Sequence, residues 1–182
     1  MARSNRVAPP RKPGDRIDAV QRATIDGRPV SLPDPERMVH LQFRRFAGCP
    51  ICNLHLRSFA DRAEEVAAAG VHEIVVFHSA ADKLTPFPDL QRFDTIADPQ
   101  RELYDAFGVR SSIRSELSPR ALSAGMRGLV GRRGPLAMDM RAGILGLPAD
   151  LLITPDGTVA DCHYGTHASD QWTVDEVLQR AH

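Results

Sequence analysis

The sequence predicts a single α/β domain built on a mixed β-sheet. Three observations carry this prediction. Strand-like and helical stretches follow one another in the order β, α, β, α, insertion, β, β, α, a layered α/β pattern. The run Ile-Val-Val-Phe at 74–77 is apolar at every position, as in a parallel-sheet strand covered on both faces. Residues 150–164 read as two strands around Pro155-Asp156-Gly157, which adds an antiparallel hairpin. A chain of 182 residues, 42% hydrophobic and 25% charged, fits one domain with ample core.

Residues 1–16 hold five basic residues, three prolines and one acid, which predicts a flexible or loosely docked basic tail. The folded domain is expected over 17–182. Residues 19–32 read as an N-terminal β-hairpin around Asp26-Gly27, closed by Pro33 and Pro35. Residues 38–43, Met-Val-His-Leu-Gln-Phe, alternate apolar and polar and predict a strand. Leu54, Leu56, Phe59, Ala63, Val66 and Ala67 recur at near-helical spacing over 50–69, and Gly70 supplies the stop. A strand at 73–77, a proline-containing connection at 85–88 and a short strand at 94–97 follow. Pro99 opens a helix with Leu103, Tyr104 and Phe107 on one face, ended by Gly108. After the hairpin, Thr173 and Glu176 are spaced as a capping box for the last helix.

Residues 110–141 interrupt this rhythm. Seven arginines against two acids, with Ser118-Pro119 as a helix start and Leu122, Met126, Leu129 and Val130 as an apolar stripe, predict an Arg-rich helical insertion. The reading is a lid on the core with its arginines in solvent. A helix for a membrane surface or a partner is the alternative. Basic and acidic residues balance at 23 each, which argues against a whole-surface nucleic-acid binder. No apolar run approaches the about 20 residues of a membrane span. The N-terminus lacks the apolar segment of a secretory signal, so a cytoplasmic, reducing setting is expected. Three cysteines exclude a disulfide scaffold, and the odd number leaves at least one thiol free.

The chemistry-bearing stretch is Gly48-Cys49-Pro50-Ile51-Cys52, between a predicted strand and a predicted helix. With Pro50 at the first helical position, Cys49 becomes the N-cap. Its sulfur then faces unpaired backbone N–H groups and the positive end of the helix dipole, which favour a thiolate. Cys52, one turn away, is placed to attack a sulfenic acid or mixed disulfide on Cys49. Metal binding competes, since His55 follows Cys52 and Cys162-His163 offers further donors. Those two are adjacent on a strand and point to opposite faces, which makes a poor second ligand pair. His55 itself reads as an exposed helix residue, Cys162 as a spectator, and Pro148 as an ordinary proline at a strand start.

The hairpin IDGRPVSL, the strand ending in FAGCPIC, the helix DPQRELYDAFGV and the strand-turn-strand LLITPDGTVAD together resemble the thioredoxin superfamily, and within it the peroxiredoxin-like (AhpC/TSA-type) proteins. The resemblance covers about residues 17–182. It implies a thioredoxin-like fold with Cys49 in the peroxidatic position, Cys52 as resolver, and no metal or cofactor. It also implies a substrate loop in which Gly48 and Pro50 flank the nucleophile and Pro148 takes the cis-proline position. Two places depart from the family pattern. Phe46 and Gln42 stand where the family carries a Thr or Ser and a Pro, and Pro148 stands where it carries an arginine. Arg44, Arg45 or an arginine of the insertion are the candidates to polarise a bound peroxide instead.

The expected function is therefore a thiol-dependent redox protein that reduces hydroperoxides or disulfides through a Cys49–Cys52 dithiol/disulfide cycle. The expected partners are a peroxide or disulfide substrate and an external thiol reductant, and a homodimer is compatible with the resemblance. A protein disulfide reductase without peroxidase activity and a non-catalytic binding module are the rival readings.

Overall fold

The computed structural model describes residues 7–110 and 146–182. The helix expected within 110–141 therefore lies outside the described residues. Strands β1 (Val20–Ala23) and β2 (Pro29–Leu32) form the expected hairpin, with Val20 opposite Leu32 and Ala23 opposite Pro29. Gly27 turns it at φ 84°, a left-handed conformation that favours glycine. The remaining strands are β3 (Met38–Arg44), β4 (Val71–Phe77), β5 (Asp94–Ala97), β6 (Ala149–Ile153) and β7 (Val159–Tyr164). They form one mixed sheet in the order β5-β4-β3-β6-β7. β3, β4 and β5 run parallel, and β6 and β7 add antiparallel partners. This is the thioredoxin-like arrangement, with β3 at its centre.

Helices cover both faces. α1 (Pro50–Asp61) and α2 (Ala63–Ala68) connect β3 to β4. One continuous helix was expected here, but Arg62 breaks it at φ −116° and ψ 23°. Its amide bonds to the Phe59 carbonyl, and its guanidinium is drawn to Glu65 and Asp175. A short α3 (Ala81–Leu84) and a 3-10 turn (Pro88–Arg92) occupy what reads in sequence as a plain connection. α4 (Glu102–Ala106) starts later than the Pro99 signal indicates. The Asp98 carboxylate accepts the amides of Glu102, Leu103 and Tyr104 at 2.9, 2.8 and 3.2 Å, and so takes over the capping of this helix. Thr173 and Glu176 form the expected capping box at the start of α5 (Val174–Arg180).

The sheet separates two apolar layers. Phe46, Leu56, Phe59, Phe77, Trp172 and Val177 fill the side that carries α1. Leu41, Phe43, Val76, Tyr104, Phe107 and Leu151 fill the other. The described part of the basic tail is tied down rather than loose. Ala8 N–H bonds to Asp105 O at 2.8 Å, Gly14 N–H to Val159 O at 2.8 Å, and Arg16 bridges to Thr158. A Cβ on Gly108 would lie 2.6 Å from the backbone of Pro9 and Pro10, so glycine lets the tail cross α4's end. At the opposite sheet edge, Ile25 N–H bonds to Thr95 O at 2.8 Å.

Candidate functional site

The cysteine pair sits where the central strand hands over to its helix. After Arg44 the chain turns at Gly48, φ 76°, and Cys49 N–H returns to Phe46 O at 3.2 Å. The turn is pinned from β4's end, where Ser79 Oγ accepts Ala47 N–H at 2.8 Å. Cys49 is the N-cap of α1 and Pro50 its first residue, as the sequence predicts. Cys49 Sγ accepts the Cys52 amide at 3.4 Å, and the two sulfurs, both free, lie 2.7 Å apart. Both cysteines are buried, at 0% and 1% exposure, so neither sulfur meets solvent.

Two sulfurs in contact share their acidity, because one negative charge is favourable there and a second is not. Burial opposes charge on Cys52, but the hydrogen bond shared with Cys49, the Arg45 charge and backbone, and the Arg44 charge outweigh it and bring Cys52 down to about 7. Burial and contact with Cys52 push Cys49 well above its ordinary value. The sequence expectation placed the lowered thiol on Cys49. In the structure both sulfurs are buried and in contact, so the lowered value belongs to the pair, with burial opposing charge on Cys49 despite its N-cap place.

Beneath α1, β3 presents His40, Gln42 and Arg44 on one face, and all three are fully buried. Arg44 Nη2 donates to Asp150 Oδ1 at 2.6 Å, and Arg44 Nε to Gln42 Oε1 at 3.1 Å. His40 bridges Glu73 at 2.9 Å and Asp150 at 3.2 Å. Asp150 Oδ2 accepts the Trp172 amide at 3.3 Å. Burial opposes charge on His40, but Glu73 and Asp150 outweigh it and raise it to about 9. Asp150 is held well below the usual carboxylate range, because Arg44 and His40 overcome the cost of its burial. The array runs from Glu73, at the edge of a surface cavity of about 400 Å³, to α1.

His55 belongs to this array and is not an exposed helix residue. It is half-buried, packs on Phe59 at 5.0 Å between ring centroids, and accepts from Arg44 Nη2 at 2.9 Å. Burial and the Arg44 charge push it well below its ordinary value, so it stays neutral. The two candidate peroxide-polarising arginines thus differ. Arg44 is committed to Asp150, Gln42 and His55, whereas Arg45, packed over the Phe46 ring at 5.3 Å, lowers both cysteines by its charge. Phe46 is itself buried at 2% exposure, an apolar wall where the family pattern has a hydroxyl.

Pro148 is the ordinary proline at a strand start that the residues alone suggest, not the cis-proline that the resemblance implies. Its carbonyl accepts the Gly165 amide at 2.9 Å at the start of β6, and the Leu147–Pro148 bond is trans. Leu32–Pro33 is the one cis bond among the described residues. Cys162 lies across the sheet from the pair. It packs on the layer of Leu151 and Val159, and its thiol donates to Arg11 O at 3.1 Å. Burial and the nearby Asp161 and Asp15 raise it. Among the described residues no cluster of three or more His, Cys, Asp or Glu is arranged to hold a metal ion. None of their helices is long and apolar enough to cross a membrane.

Comparison with known proteins places this geometry in context. The model of the AhpC/TSA family matches residues 13–162. The curated relative "Thioredoxin-like protein AAED1, chloroplastic" of Arabidopsis thaliana is 23% identical over 111 residues, 59% of this chain. The match spans only 45% of that relative's length. Among solved structures, the peroxidoxin BcpB of Mycobacterium tuberculosis superposes with a TM-score of 0.66 at 22% identity, over 93% of this chain and 96% of its own. A peroxiredoxin-like protein of Aquifex aeolicus gives 0.65 at 16%, over 96% and 88%. A putative thiol:disulfide interchange protein DsbE of Chlorobium tepidum gives 0.56 at 18%, over 93% and 94%.

Proposed function

The chain belongs to the AhpC/TSA family, and from that premise we propose that it is a thiol-based oxidoreductase cycling between a Cys49–Cys52 dithiol and the corresponding disulfide. The observation that carries this reading is the sulfur–sulfur contact of 2.7 Å at the first turn of α1, where the pair's first proton leaves near neutrality. A proton need only cross that contact to move the charge from Cys52 to the capping Cys49. Access to either sulfur requires local opening at the α1 N-terminus.

In the cycle, Cys49 thiolate attacks a hydroperoxide oxygen. The O–O bond breaks, the alcohol leaves with a proton, and Cys49 becomes a sulfenic acid. Cys52 attacks that sulfur and expels water, which forms the disulfide. With a disulfide substrate the same thiolate displaces one substrate thiol, and Cys52 displaces the second. An external thiol donor then supplies two electrons and two protons to restore the dithiol. Both steps are thiol chemistry and call on no cofactor.

The observations favour disulfide exchange as the faster of the two. Peroxide cleavage gains from donors on the oxygen that develops charge, and loss of one such donor costs about 10²-fold or more. Buried Phe46 and trans Pro148 supply none at the family's usual places, and Arg44 is bound to Asp150. Disulfide exchange needs no such donor: an acidic thiol and a good leaving group suffice once the α1 N-terminus opens to give access. The test is stopped-flow oxidation with hydrogen peroxide, an organic hydroperoxide and a model disulfide. Reversible two-electron oxidation, a Cys49–Cys52 bridge and loss of turnover in Cys49→Ser are expected. A protein with no reversible couple is a binding module. Turnover retained in Cys49→Ser and lost in Cys52→Ser reverses the roles.

A further inference from the structure

The thiol chemistry makes no use of the surface cavity of about 400 Å³ that Glu73 borders. The cavity lies where the hairpin turn, α2 and the first residues of β4 and β5 meet. The other end of β4, at Phe77, pairs with Arg44 just before the turn that holds the cysteines. Val71, at the cavity, is about 20 Å along the strand from that end. The cavity shares no residue with the cysteine site. Its volume falls in the range of small-molecule sites, roughly 300–1,000 Å³.

The lining divides into an apolar floor and a charged rim. Val66, Val71 and Phe93 form the floor and are almost wholly buried. The charges at the rim are settled among themselves with one exception. Asp94 pairs with Arg28 at 2.9 Å and with His72 at 2.8 Å. Glu73 pairs with His40 at 2.9 Å, and Arg37 with Asp34 at 2.8 Å. Arg92, an exposed side chain, lines the cavity with no carboxylate partner among the described residues. Its Nη2 donates to Ala60 O at 2.8 Å, which tethers the guanidinium to the end of α1 and leaves the rest of the fork uncommitted.

We propose that this cavity binds a small aliphatic monocarboxylate, its head paired with Arg92 and its chain laid over Val66, Val71 and Phe93. One uncompensated cation calls for one negative charge. A dianionic head would face Glu73 and Asp94 with no second cation released to meet it, and a cationic ligand would meet Arg92. A carboxylate suits the planar guanidinium, which holds two oxygens side by side. The apolar floor supplies what the head alone lacks, because an exposed ion pair by itself contributes little.

The test is a titration of the full-length reduced protein with hexanoate, followed by amide NMR shifts. The amides of Val66, Ala67, Val71, His72 and Phe93 should move together and saturate, with half-saturation on the order of millimolar or below. Acetate carries the head without the chain, and hexylamine the chain with the opposite charge. Each should bind about tenfold more weakly or worse. Arg92→Gln should weaken hexanoate about tenfold, the loss of one charge-assisted contact, and Arg92→Lys should recover part of it. Ala67→Leu, at an exposed position of α2, fills the cavity from its rim. It should weaken hexanoate at least as much while its unfolding midpoint stays near the parent's. An equal response to acetate would mean an adventitious ion only, and an equal response to hexylamine would mean apolar contact without a role for Arg92. Either result overturns the proposal, as does the absence of a saturable shift at these amides. Should Arg92→Gln not fold, Ala67→Leu decides, and an unchanged affinity there overturns the site. The titration reads no sulfur, so its failure leaves the redox reading standing, and loss of the redox couple leaves this site standing.

Discussion

The two faces of β3 are built from alternate residues of one seven-residue strand, yet they hold the domain together by different physics. Val39, Leu41 and Phe43 face an apolar layer, where the Phe43 ring meets Tyr104 edge-on at 5.0 Å and Phe107 at 5.5 Å. His40, Gln42 and Arg44 face the helix that carries the cysteines, and they meet charge rather than hydrocarbon. Both faces are fully buried. The apolar face gains from area removed from water and tolerates changes of shape within limits. The ionic face is stable only while every charge keeps its partner. The thiols lie beside the second face, so there the strand's packing and the site's electrostatics are one problem.

The sharpest way to break this contrast is to remove a single charge. Asp150→Ala leaves Arg44 and His40 without their shared carboxylate and should destabilise by about 3–5 kcal/mol in urea unfolding at neutral pH. A loss under about 1 kcal/mol would mean that the buried charges relax without cost. On the other face, Leu41→Ala should cost about 2–5 kcal/mol through a cavity. It should leave the thiol titration unchanged, and a moved titration would erase the distinction between the faces.

The faces should also differ in their response to pH. His40 is raised to about 9 when folded, above its ordinary 6.5. Its contribution is therefore complete below about pH 6.5 and is lost as pH rises through about 9, a loss on the order of 3 kcal/mol. Cys52, lowered to about 7, gains stability over the same window, so the His40 contribution is read as the difference between the parent protein and His40→Gln in urea unfolding, which should shrink as pH rises through about 9 and do so equally in the Leu41→Ala background. A difference that stays constant to about pH 10 would show that His40 is neutral in the fold. The smallest effect is expected at Cys162, across the sheet from the pair. Cys162→Ala should change stability by about 1 kcal/mol or less and retain activity. Mass spectrometry should find Cys49 linked to Cys52 after oxidation, and a dominant Cys49–Cys162 link would show that the sheet does not keep them apart.

What could be read in advance followed how local its cause was. The cysteine pair, its cap and the capping box at Thr173 depend on a few consecutive residues, and the sequence displays them. The strands of the sheet declare themselves through short apolar runs and turns. The break at Arg62 was hidden because Ala63, Val66 and Ala67 continue a helical pattern through it. Asp98 was missed as a cap because Pro99 carries the more familiar signal. The array beneath α1 was not legible at all. His40, Gln42 and Arg44 alternate with apolar neighbours as the wet side of a half-exposed strand would, and their partners Glu73 and Asp150 arrive from 33 and 110 residues beyond His40. How the two sulfurs share their acidity also depends on complete burial, a property of the assembled domain.

Residues that precede β3 occupy both rims of the five-stranded sheet. The segment Gly14–Ile17 exchanges backbone bonds with Gly157 and Val159 beside β7, and Ile25 takes the Thr95 carbonyl of β5. An exposed strand rim is the place where a second chain can add itself and extend the sheet, productively or as an aggregate. Here a newcomer would find those positions spoken for, and the two occupants lie within a dozen residues of each other along the chain. Trimming the chain to the start of β1 would free Gly157 and Val159 at the β7 rim for sheet extension.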